Sequence, residues 1–71
     1  MDREEVDSTS LRSIGYDSVD STLEVEFIKG RVYCYLDVPQ HVYAAVMAAD
    51  SIGAAFSKLV KSGGYVHSRV N

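Results

Sequence analysis

Between Leu23 and Val38 apolar and polar residues alternate with a period of two. Leu23, Val25 and Phe27 interleave with Glu24 and Glu26, while Val32, Cys34 and Leu36 interleave with Tyr33, Tyr35 and Asp37. This is the pattern of two strands with one wet face each. Lys29-Gly30 between them predicts a tight two-residue hairpin, with Gly30 supplying a positive φ. That turn sets a register in which Phe27 opposes Val32, Glu26 opposes Tyr33, Val25 opposes Cys34, Glu24 opposes Tyr35 and Leu23 opposes Leu36. Leu23, Val25, Phe27, Val32, Cys34 and Leu36 then form an inner face. Glu24, Glu26, Arg31, Tyr33 and Tyr35 form an open outer one.

The segment Leu11 to Tyr16 predicts an earlier strand, with Ile14 and Tyr16 joining the core beside Val25 and Leu23. Gly15 within it signals a bulge or a close backbone approach, and the Ser- and Asp-rich stretch from Asp17 to Thr22 reads as a loop. At Val38-Pro39 the period changes. Proline suits a first helical turn, and Pro39 to Ala48 is expected to be helical, with Val42, Val46 and either Tyr43 or Met47 turned inward. Asp50 or Ser51 caps a second helix whose Ile52, Phe56, Leu59 and Val60 form an apolar stripe. Gly53 lies at the edge of that stripe, where a missing side chain admits a neighbour, and Gly63-Gly64 ends the helix in a left-handed cap. The fold class expected is α+β: a three-stranded antiparallel meander followed by two helices packed on one face, or βββαα. Residues 8–66 form the single domain, between a flexible tail at 1–7 and a second tail at 67–71. The stretch from Tyr65 onward is open between folding back, adding a short strand and hanging loose.

Seventy-one residues make a domain with a thin core, burying only about 60% of its unfolded surface. The net charge is −3, with every acid between Asp2 and Asp50. The last 21 residues carry Lys58, Lys61 and Arg69 and no carboxylate, a cationic end on an acidic chain. The one cysteine, Cys34, permits no internal disulfide, and so small a domain without staples is expected in the reducing cytoplasm. No apolar run has the length of a membrane span, so no membrane partner is expected.

No catalytic centre, metal site or cofactor is expected. A metal site needs three or four ligands at suitable spacing, whereas Cys34, His41 and His67 fall on separate elements. Cys34 reads as a buried small hydrophobe, His41 as a solvent-facing helix residue, and His67 as part of the tail. No serine sits in a nucleophile elbow, and Gly63-Gly64 matches no phosphate loop. Glu24 and Glu26 read as solvated partners of Tyr33 and Tyr35. The chain is read as a non-enzyme.

Ser13-Ile14-Gly15-Tyr16-Asp17, Leu23-Glu24-Val25-Glu26-Phe27, Gly30, Tyr33, Tyr35, Val38-Pro39, Tyr43, Ala49, Ser51, Gly53 and Phe56 follow one another in an order that resembles a KTSC domain. That family occurs as a stand-alone small protein and at the C-terminus of some lysyl-tRNA synthetases. The resemblance runs from about Asp7 to Tyr65. Two departures stand out: Ser57 replaces an asparagine that commonly follows the phenylalanine, and Tyr65 falls about one residue late. The resemblance implies an accessory role in RNA or tRNA metabolism. The residues suited to it are the cations Lys58, Lys61 and Arg69, with Arg31, which would contact RNA or a nucleic-acid-handling protein. The alternative is a protein-interaction or homodimer module using Tyr33 and Tyr35 beside Glu24 and Glu26 on the open sheet face.

Overall fold

The computed structural model describes all residues from Met1 to Asn71. Five strands form one antiparallel meander in the order β1 (Glu4–Glu5), β2 (Leu11–Asp17), β3 (Thr22–Phe27), β4 (Val32–Tyr35) and β5 (His67–Arg69). Two helices lie between β4 and β5: α1 (Gln40–Ala48) and α2 (Ile52–Phe56), the latter continued by a π-helical turn over Ser57–Lys61. The α+β class and the pair of helices are as expected, but the sheet is wider. Both segments read as tails pair with it: Glu4 and Glu5 lie opposite Ile14 and Ser13, and His67 to Arg69 lie against β4.

The β2–β3 register has Ile14 opposite Val25 and Tyr16 opposite Leu23, as the alternation requires. The β3–β4 register differs by one residue from the expected pairing. Leu23 lies opposite Tyr35, Glu24 opposite Cys34, Val25 opposite Tyr33 and Glu26 opposite Val32. The cause is the turn. The Gly30 N–H donates to the Phe27 carbonyl and the Phe27 N–H donates to the Arg31 carbonyl, each at 2.9 Å. This closes a three-residue loop over Ile28, Lys29 and Gly30. A two-residue type I′ turn needs positive φ at both central residues, and a lysine side chain resists that conformation. Here Gly30 alone takes it, at φ +96°.

With a period of two, a shift of one residue exchanges the faces of β4. Tyr33 and Tyr35 therefore share the helix-covered face with Leu23 and Val25, and Cys34 lies on the outer face opposite Glu24. Phe27 and Val32, expected as partners, lie on opposite faces.

The core comprises Leu11, Ile14, Leu23, Val25, Tyr35, Val38, Val46, Phe56 and Val60. Phe56 packs edge-on to both Phe27 and Tyr35, at 5.9 and 5.5 Å between ring centroids. Tyr16 stacks on Tyr43 of α1 at 4.8 Å, and its hydroxyl donates to the Val38 carbonyl at 2.6 Å. Ser51 caps α2 by accepting from the Ala54 N–H. In the π turn the Ser62 N–H reaches back five residues to the Ser57 carbonyl. Such a turn holds one residue more than an α turn, which fits the late position of Tyr65. A wider turn keeps residues four apart in line, so Phe56 and Val60 are buried, but swings Leu59 to the surface at 36% exposure. Leu59 was expected in the inner stripe.

The outer face is closed at one end by the first residues. A Cβ on Gly15 would stand 2.6 Å from the Asp2 carbonyl oxygen, so only glycine admits the crossing backbone. Arg3 lies over this face, pairing with Glu24 at 3.3 Å and Glu26 at 3.8 Å and donating to Ser13 Oγ at 2.9 Å. At the opposite edge Asn71 extends the β4–β5 ladder with its side chain. Its Oδ1 accepts from the Val32 N–H at 2.9 Å and its Nδ2 donates to the Gly30 carbonyl at 2.7 Å.

Candidate functional site

Because β4 turns its tyrosines inward, the part of the inner face beyond the helices is aromatic. Phe27, Tyr33, Tyr35 and His67 lie together there with the hairpin tip on one side and the end of the π turn on the other. They line an open cleft of about 660 Å³ with Thr9, Ser10, Ile28, Lys29, Arg31 and Lys61. The size is that of a small-ligand site.

The aromatic wall is continuous. Tyr35 and His67 stack at 5.0 Å with their planes 24° apart. Tyr33 lies 6.0 Å from His67 and meets Phe27 edge-on at 5.7 Å. Their register accounts for this: His67 is the cross-strand partner of Tyr35, and Arg69 that of Tyr33. Arg69 is thus on the same face, beside the cleft.

Three cations line the cleft, Lys29, Arg31 and Lys61, and no carboxylate does. Both ion pairs of the protein belong to Arg3, on the other side of the sheet. The cleft cations are therefore not neutralised by the protein, although the chain as a whole is acidic. An open concavity of one charge sign raises the local concentration of opposite charge.

Tyr35 is only 3% exposed, and its hydroxyl makes no hydrogen bond within the protein; Tyr16 has the one tyrosine hydroxyl that does. The hydroxyl is not sealed from solvent either, and the residue lines the cleft. Burial, with a smaller contribution from Tyr33, raises its pKa above the ordinary tyrosine value. The group is a neutral hydroxyl, able to donate and accept.

The structure divides the residues singled out from the sequence. Arg31 and Lys61 meet in the cleft, with Arg69 at its margin. Lys58 is exposed and outside it. The expected interaction face does not exist as a unit: Tyr33 and Tyr35 lie inside, whereas Glu24 and Glu26 lie outside under Arg3. Cys34 is half-buried on the outer face, not in the core, and burial, then Glu24, pushes its thiol pKa up. A raised thiol pKa leaves little thiolate for chemistry. His41 is exposed on α1. No three His, Cys, Asp or Glu side chains are grouped to hold a metal ion. His67, Lys29 and Phe27 are cleft residues that sequence reasoning did not select. No local pattern signals His67, since His67, Ser68 and Arg69 are all polar and exposed.

The fold is that of a small α+β domain, built on an antiparallel meander with its helices inserted before the last strand. The profile of the KTSC domain matches residues 7–65, and the chain belongs to that family. The chain is 42% identical, over the full length of both, to an uncharacterized protein of Stutzerimonas stutzeri. It is 34% identical to a protein of Tsukamurella paurometabola over 79% of this chain and 84% of the other. The crystal structure of a KTSC domain protein from Yersinia pestis superposes with a TM-score of 0.90 at 32% identity, covering 99% of this chain and 97% of that one.

Proposed function

We propose that this protein is a non-catalytic binding module for nucleic acid, accessory to RNA or tRNA metabolism, and that the cationic aromatic cleft is its binding surface. One observation carries the reading: the cleft gathers Lys29, Arg31 and Lys61 around Tyr33, Tyr35 and His67 and includes no carboxylate. Phosphates supply the charge that such cations bind, and bases supply the faces that such rings stack on. The association of KTSC domains with some lysyl-tRNA synthetases points the same way, and the lone free cysteine fits a cytoplasmic setting. No helix of the protein is long and apolar enough to cross a membrane. The four residues of the interaction-module alternative do not share a face, so we give the nucleic-acid reading preference.

The test is a titration against labelled RNA at two salt concentrations. With about three phosphates neutralised, the slope of log affinity against log salt should be about −2 for a single strand. Reversing Arg31 and Lys61 to glutamate should abolish binding while the melting temperature changes little. Binding that ignores both salt and the double reversal refutes the reading.

A further inference from the structure

Resting on that reading, we propose that the cleft admits unpaired nucleotides only. One base lies against the aromatic wall of Tyr33 and His67, and its polar edge hydrogen-bonds to the unpartnered Tyr35 hydroxyl. The ligand class is therefore single-stranded nucleic acid, recognised one or two nucleotides at a time.

Three observations converge on this. The first is shape. A concavity of about 660 Å³ accommodates a small ligand, not a helical surface, and its lining includes the rings of Phe27, Tyr33, Tyr35 and His67. A duplex keeps its base faces stacked inward and offers only groove edges and backbone. The second is the Tyr35 hydroxyl, which has no protein partner, is not sealed from solvent, and belongs to an almost wholly buried residue that lines the cleft. A phosphate backbone passing over the cleft mouth does not enter far enough to meet it. A base turned inward does, and base edges offer both donors and acceptors. The third is the modest number of cations. Lys29, Arg31 and Lys61 in the cleft and Arg69 at its margin suit a short track of phosphates, with stacking supplying the remaining affinity.

The division of labour follows. Arg31 and Lys61 hold phosphate on either side of the opening, since they come from the hairpin and from the π turn. His67 and Tyr33 provide stacking that accepts any base, and Tyr35 adds an unpartnered hydroxyl from the buried residue of the lining. Tyr35 thus acts on selectivity among bases more than on charge attraction.

The experiment uses the full chain with a short fluorescent RNA single strand, the same strand annealed to its complement, and the variant Tyr35→Phe. The single strand should bind at least about tenfold more tightly than the duplex, as the loss of one stacked base implies. Tyr35→Phe should weaken single-strand binding about fivefold, the usual worth of one hydrogen bond, with the salt slope unchanged. Equal binding of duplex and single strand overturns the inference but leaves the nucleic-acid reading in place. Unchanged single-strand affinity in a folded Tyr35→Phe protein also overturns it. If that variant does not fold, the comparison of single strand with duplex decides alone. Absence of binding to either probe refutes both the inference and the reading beneath it.

Discussion

Replacing Tyr35 by alanine and, separately, Cys34 by serine measures which face of β4 is inward. Tyr35 is 3% exposed, with its ring against Phe56 at 5.5 Å and His67 at 5.0 Å. Removing a buried aromatic side chain costs about 3–5 kcal/mol, the lost transfer energy plus the cavity left behind. For a chain of this length the whole stability is about 4–10 kcal/mol. The variant should then melt at least about 12 °C lower, at roughly 4 °C or more per kcal/mol, or fail to fold. Cys34 is half-buried on the outer face opposite Glu24, so exchanging sulfur for oxygen should cost less than about 1 kcal/mol. Far-UV circular dichroism followed through heat and urea reads both. If Cys34→Ser costs more than Tyr35→Ala, the thiol is the core residue and the two-residue turn is the true one. The cleft then loses its tyrosines.

Further outcomes follow from the same geometry. Lys29→Asn creates an Asn-Gly pair, the strongest short signal for a two-residue hairpin, and should favour the competing register. A doubled set of amide resonances for β4, or a broadened unfolding transition, is expected, and a single sharp native spectrum would show that the turn does not decide the pairing. Cys34 and Tyr35 both have pKa values raised on folding, so the folded state holds protons that the unfolded state releases. Stability should therefore fall as pH rises past the ordinary cysteine and tyrosine values of 9.0 and 10.0. Urea midpoints taken at neutral and alkaline pH check the sign, and Cys34→Ser should remove the earlier part of the decline.

The parts of the fold legible in the residues are those where one face is apolar and the other is not. Leu23-Glu24-Val25-Glu26-Phe27 permits one orientation, and Ile14 and Tyr16 fall beside it as the alternation demands. Val32-Tyr33-Cys34-Tyr35 does not, because tyrosine is amphipathic and either set can be buried. There the turn decided, and its choice rested on the cost of a left-handed lysine and not on hydrophobic matching. β5 has no apolar alternation to announce it. His67, Ser68 and Arg69 are all exposed, and they become a strand only because β4 offers an unpaired edge. For the site, Arg31, Lys61 and Arg69 were recognisable as cations. That the first two meet Tyr33, Tyr35 and His67 depends on the register of β4 and the pairing of β5, neither of which local pattern encodes. Leu59 was misplaced for a related reason: the extra residue in the π turn breaks the spacing from which a stripe is counted.

The amide of Asn71 has a wider meaning for how the sheet border is held. It supplies one donor and one acceptor to the neighbouring strand, as a further peptide unit would, so a side chain does the work of more main chain. The rim that carries the imidazole is thus tied at its far corner by this amide together with the Val70 N–H, which donates to the Val32 carbonyl at 2.8 Å. Removing that amide would loosen the corner alone, since the Leu36 N–H bond to the Val66 carbonyl and the β4–β5 ladder keep the border strand paired.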